Sequence, residues 1–204
     1  MSPKPCTVGL TGGLASGKSA VAEILESLGA EVFDCDAYVH ELYLPGGAGA
    51  KDVAFLFGEM VLASDGGVDR SFLAELVLDD PAARQRLEGA IHPLVRSGVD
   101  AWVGTLGPRA VAVVEAALLI ETGTWRNYDL LAVVWCGPEQ QFERAVARGV
   151  PEDRARGLVA AQMPMLDKRE LAEIVIDNSG SRDGLETEVQ RAWGNIVALC
   201  ERRR

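Results

Sequence analysis

The feature that most constrains this chain is the run Gly12-Gly13-Leu14-Ala15-Ser16-Gly17-Lys18-Ser19, which fits the pattern Gly-x-x-x-x-Gly-Lys-Ser/Thr. An apolar stretch, Thr7–Thr11, precedes it and reads as a strand. From Lys18 to Leu28 the apolar residues Val21, Ile24, Leu25 and Leu28 recur at helical spacing, and Gly29 closes the helix. Glycines in a strand-to-helix turn let backbone N–H groups point inward around phosphate oxygens, where the following helix aims its positive end. Lys18 then reaches the β- and γ-phosphates and the Ser19 hydroxyl can ligate Mg²⁺. The pattern implies a site for nucleotide phosphates, a loop shared by many enzymes, and the expectation is a kinase that uses ATP on a small molecule. Its nucleotide site is Gly12, Gly13, Ala15, Ser16, Gly17, Lys18, Ser19 and Ala20, with Lys18 catalytic and Ser19 on the metal. The plainer alternative is a glycine turn that happens to precede a helix.

Glu31–Phe33 reads as a second strand ending at Asp34-Cys35-Asp36. From Ala37 to about Leu106 the pattern is helical, broken by Pro45-Gly46-Gly47 and Asp65-Gly66-Gly67. Asp80 before Pro81 marks a helix start, and His92-Pro93 is expected to bend or break that helix. Ala110–Glu115 and Leu130–Trp135 are valine-rich without alternation, as strands buried on both faces are. Helical segments follow at Glu139–Arg148 and Glu152–Gln162. A fifth strand near Ile174–Ile176 leads into Asp177-Asn178-Ser179-Gly180 and a last helix to about Cys200. Strands alternating with helices predict an α/β fold around a central parallel five-stranded sheet.

With 48% hydrophobic and 25% charged residues, the chain has the makeup of a globular protein. No apolar run reaches the roughly 18–20 residues that a membrane span needs, and Met1–Pro5 opens no hydrophobic signal block, so a cytoplasmic location without membrane partners is expected. The net charge of −10 argues against a nucleic-acid surface but not against a local arginine pocket for a phosphorylated small molecule. Cys6, Cys35, Cys136 and Cys200 are scattered without histidines nearby. They are expected to be small buried residues, with neither zinc nor a disulfide framework.

Beyond the carboxyl end of the second strand, Asp34 and Asp36 are expected near the phosphate loop. Asp34 serves function or caps the next helix; Asp36 is the candidate that orients or deprotonates the acceptor hydroxyl. Arg144, Arg148, Arg154, Arg156, Lys168 and Arg169 make one region locally basic. It is either a solvated helix face or a mobile cover for the γ-phosphate, with Arg144 and Arg148 the best candidates. Glu115 ends an interior strand and is either a site residue or a buried structural acid. His92 is either a packing residue or a proton carrier.

Over nearly its whole length, Val8 to about Trp193, the chain resembles the dephospho-coenzyme A kinases. The likeness is carried by Leu10–Ser19, Asp34-Cys35-Asp36, Tyr43-Leu44-Pro45-Gly46, Ile91-His92-Pro93-Leu94, Leu118-Leu119-Ile120-Glu121-Thr122-Gly123, Ala160-Ala161-Gln162 and Val175-Ile176-Asp177-Asn178-Ser179-Gly180. The resemblance implies transfer of the ATP γ-phosphate to the 3′-hydroxyl of dephospho-coenzyme A with Mg²⁺. It implies one P-loop kinase domain over 1–204: a core of about 6–36, 108–137 and 172–204, a helical acceptor-binding insertion of about 37–107, and a helical lid of about 138–171. Asp36 would face the acceptor hydroxyl, Arg144 and Arg148 the ATP phosphates, and Asn178 the adenine, while His92, Leu118 and Leu119 would line the acceptor pocket. Ala15, Ala20 and Ala117 stand where the family usually has glycine, threonine and proline, and the lid start, Arg148-Gly149-Val150-Pro151, is about one residue short. A nucleoside monophosphate kinase, or a nucleotide-dependent switch, is the competing reading. No guanine-reading Asn-Lys-x-Asp motif supports the switch.

Overall fold

Valine and isoleucine concentrate in stretches that have no polar face, and the computed structural model, which describes residues 4–78 and 80–203, makes these the interior strands. Every residue of β3 (Val111–Glu115) is buried, as is all of β4 (Leu130–Trp135) except its last residue. With β1 (Cys6–Gly12), β2 (Glu31–Asp34) and β5 (Ile174–Asp177) they form one sheet in the order β2-β3-β1-β4-β5. The pairings of β1 with β3, β1 with β4, and β4 with β5 are parallel. This is the expected α/β fold. In register, Leu10 lies opposite Glu115 and Gly12 opposite Val134, so the carboxyl ends of three strands come together where β1 runs into the glycine loop.

The chain divides into two compact units. The first holds residues up to 33 together with those from 106 on; the second is residues 34–105. In the first, α1 (Lys18–Ser27) and α9 (Arg182–Arg203) pack on the sheet, with Val21 and Leu25 of α1 and Val189 and Ile196 of α9 fully buried. The end of α1 follows from Gly29: with φ at +103° it permits the paired bonds Gly29 N–H to Glu26 C=O and Ala30 N–H to Leu25 C=O. Helices α6 (Pro138–Ala147), α7 (Glu152–Ala160) and α8 (Met165–Leu171) complete this unit. The last of these is not among the helical segments read from periodicity, though it lies within the 138–171 segment that the resemblance makes helical.

The second unit is helical: α2 (Cys35–Leu42), α3 (Ala48–Phe57), α4 (Arg70–Leu78) and α5 (Pro81–Thr105) around Val53, Val61, Leu73 and Ile91. The Asp80 carboxylate accepts from the amides of Ala82 and Ala83, which is the N-cap expected there. Pro93 does not break α5, which is assigned as one helix through it. Burial of Ala83 and Ile91 before the proline and Val99 after it holds both halves in place.

The cysteines correct another expectation. Cys6 and Cys200 form a disulfide, while Cys35 and Cys136 are buried and outside any disulfide, as expected. The partners are 194 positions apart and share no local motif. They meet because β1 begins, and α9 ends, at the same end of the first unit.

Lys168 is corrected too. It is fully buried, not part of a solvated or phosphate-facing basic face, and its Nζ lies 2.7 Å from Glu121 Oε1. The approach is a close ion pair, not an aligned hydrogen bond. Removing one member of a buried pair strands the other charge. Lys168→Met, which keeps most of the stem, is expected to lower the unfolding free energy by about 3 kcal/mol, the low end of the usual range, since Glu121 keeps some contact with water. Urea denaturation measures this, and a change near zero would mean the pair only breaks even with an apolar contact.

Candidate active site

The glycine loop is closely packed by its neighbours. A side chain added at Gly13 would run into Gln141 and Met165, and one at Gly17 into Asn178, so the backbone is approached too closely for anything larger than hydrogen. Gly17 also has φ of +95°, a conformation that glycine adopts without strain. It stands at the N-cap of α1 yet offers no capping side chain, and no acid lies in the first turn. The first backbone bond there runs from Val21 N–H to Gly17 C=O, so the amides of Lys18, Ser19 and Ala20 come before the helical ladder. A lysine at this position opposes the helix dipole, and an anion bound at the N-terminus would offset that. Ser16, fully buried, has a hydroxyl with no hydrogen-bond partner among the described residues.

Side chains from three other elements close on this loop. Glu115, 7% exposed at the end of β3, accepts a hydrogen bond from the Ser19 hydroxyl at 3.0 Å. Asn178, just beyond β5, donates through Nδ2 to the Ser16 carbonyl at 2.7 Å. Arg144 of α6 donates through Nη2 to the Asn178 carbonyl at 2.8 Å, and Gln140 of the same helix reaches the Ser179 carbonyl at 2.7 Å. Lys18 extends toward the Gly13 carbonyl, 3.4 Å away. Two residues not expected at the site join it: Gln162, present in the sequence only as part of the Ala160-Ala161-Gln162 stretch, accepts from the Leu14 amide through Oε1 at 2.7 Å, and Gln141 is pressed on Gly13. Neither had a signal in local spacing. Gln141 and Gln162 also line a cavity of about 270 Å³ with Trp135, Met163 and Met165.

The rest of the basic run disperses. Arg148 is an exposed C-cap of α6, and Arg154 is exposed. Arg156 lies over the Phe142 ring and Arg169 over the Trp135 ring. Leu119 is buried and, with Tyr128, crowds Gly9 of β1, while Leu118 is exposed. Burial pushes the Cys136 thiol pKa up, partly countered by the Arg144 charge. Within the second unit, the Asp34 carboxylate accepts from the amides of Asp36 and Ala37, which makes it the N-cap of α2. Asp36 is exposed in the first turn of that helix, and His92 is exposed on α5.

A hard divalent cation suits the Ser19–Glu115 pair, which offers oxygen donors alone. No group of three or more His, Cys, Asp or Glu able to hold a metal occurs among the described residues. A cation there would complete its shell with phosphate and water oxygens, as Mg²⁺ characteristically does.

The family model described as CoaE, dephospho-CoA kinase, matches residues 6–183. A relative named dephospho-CoA kinase from Aromatoleum aromaticum is 42% identical over 196 residues, covering 95% of each chain. One of the same name from Thiobacillus denitrificans is 42% identical over 200 residues, covering 97% of this chain and 98% of its own. The crystal structure of TT1252 from Thermus thermophilus is similar with a TM-score of 0.77 at 32% identity, over 96% of this chain and 97% of that one. With its glycine cradle, strand-end acid and sheet order as described, the chain belongs to the dephospho-CoA kinase family.

Proposed function

We propose that this protein transfers the γ-phosphate of ATP to the 3′-hydroxyl of dephospho-coenzyme A, giving coenzyme A and ADP, the last step of coenzyme A biosynthesis. The observation that carries the reading is the uncapped N-terminus of α1, with Lys18 in its first turn and a cradle of glycines before it, in a chain whose family match spans residues 6–183. Backbone amides from Ala15 to Ala20 and the Lys18 ammonium hold the β- and γ-phosphates and take up charge as the transfer proceeds. Ser19 and Glu115 hold Mg²⁺, which supplies charge neutralisation on the terminal phosphates. Asp36 orients the 3′-hydroxyl and accepts its proton as that oxygen bonds to the γ-phosphorus. The bond from the γ-phosphorus to the bridging oxygen breaks, and that oxygen leaves with ADP.

In this reading segment 37–107 supplies acceptor binding, with His92, Leu118 and Leu119 toward the acceptor, and 138–171 is the lid. Arg144 moves from the Asn178 carbonyl to the phosphates as the lid closes, Arg148 follows on the same helix, and Asn178 borders the adenine. A cytoplasmic setting belongs to the proposal, consistent with the absence, among the described residues, of any helix long and apolar enough to cross a membrane. Cytoplasmic thiol pools keep most cysteines reduced, so the Cys6–Cys200 bond is the feature that sits least easily with that setting.

The direct test is incubation with ATP, Mg²⁺ and dephospho-coenzyme A, followed by mass spectrometry for the gain of one phosphoryl group. A nucleoside monophosphate phosphorylated in preference would overturn the choice of acceptor. Glu115→Gln is expected to raise the Mg²⁺ concentration for half-maximal activity about tenfold, the scale seen when a metal's supporting carboxylate is lost. An unchanged Mg²⁺ titration would return Glu115 to a purely structural role.

A further inference from the structure

Ala15 is the one non-glycine residue with positive φ among the described residues, at 53°. An alanine in that left-handed region is strained, and such a conformation persists only where its surroundings hold it. Three bonds hold this one. Within the loop, Ser16 N–H bonds to the Gly13 carbonyl at 3.2 Å. From outside, Asn178 Nδ2 bonds to the Ser16 carbonyl on one side of Ala15, and Gln162 Oε1 takes the Leu14 N–H on the other. A backbone N–H can only donate, so the atom facing Leu14 is the carboxamide oxygen.

Gln162 lies between α7 and α8, and its side chain borders the 270 Å³ cavity, so packing alone does not place it. The segment is anchored from behind. The next amide, Met163 N–H, bonds to Glu121 Oε1 at 3.2 Å, and that same oxygen pairs with buried Lys168. A chain of contacts thus runs from a buried ion pair, through the backbone at 163, to the residue preceding the strained peptide.

We infer that Gln162 is a positioning residue for the triphosphate. Its carboxamide oxygen clamps Leu14, keeps the Ala15 turn formed before nucleotide arrives, and ties the loop to the 138–171 segment. The inference rests on the reading that this loop binds ATP phosphates. A loop that must be re-formed on binding is populated in its competent shape only part of the time, and apparent affinity falls by that fraction.

The test is calorimetric titration of MgATP into wild type, Gln162→Met, Gln162→Asn, Ala15→Gly and the Gln162→Met/Ala15→Gly double variant, with amide exchange at Leu14 followed by NMR. Methionine keeps the length without the acceptor; asparagine keeps the acceptor but withdraws it by one methylene. Both are expected to weaken binding about tenfold, the scale of one hydrogen bond, and to speed Leu14 exchange to a similar degree. Glycine at 15 removes the strain, so the methionine penalty measured in that background should shrink to about threefold or less. A general structural role would give the same penalty in both backgrounds, and that result overturns the inference. So does binding within about twofold of wild type in both single variants. Wild type that takes up no nucleotide would instead sink the reading of the loop itself, and the clamp with it.

Discussion

Lys18→Ala is expected to lower turnover about 10²–10³-fold at saturating substrates, the usual cost of removing one preorganised group that stabilises transition-state charge. Its ammonium sits at the positive end of α1, where it opposes the helix dipole, so its loss should leave stability nearly unchanged. Asp36→Asn is expected to fall as far, by a different route. The change is isosteric, lies in an exposed first turn, and removes the proposed proton acceptor. Calorimetry should therefore find ATP affinity reduced in the lysine variant and preserved in the asparagine one. Near-full turnover in either, with thermal melting unchanged, would remove that residue from its assigned role.

The Cys6–Cys200 bond carries the largest stability prediction. A cross-link spanning 194 positions restricts the unfolded chain strongly, and the loop-entropy treatment gives about 5 kcal/mol as an upper value. For a chain of this size that corresponds to a fall of about 10–20 °C in melting temperature on reduction. The check is melting with and without reductant, beside a Cys6→Ala/Cys200→Ala variant that reductant should not affect. Identical melting of wild type under both conditions, with the bond shown intact in the oxidised sample by mass, would mean that the cross-link contributes nothing.

Local features were legible and distant partnerships were not. The β1–loop–α1 unit could be read because glycine spacing, strand composition and helical periodicity all lie within two dozen residues and agree with one another. Asp34 was ambiguous between a cap and a site residue because both uses place an acid at a strand end; its bonds to two α2 amides show the cap. Lys168 was read as one of a basic run because composition cannot reveal that Glu121 awaits it inside the first unit. Gln162 could not be found from spacing at all, since its partner is 148 positions away and an amide side chain carries no charge signature. Helix α8 went unread because at seven residues its periodicity is too short to stand out. At the proline in α5 the expected break does not occur, because burial on both sides carries the helix through it.

Joining the sixth residue to the two-hundredth turns most of the chain into a covalent ring. A protease cut at an exposed turn such as Gly149 would open that ring without releasing a fragment, and the two pieces would travel as one species until a thiol reagent separated them.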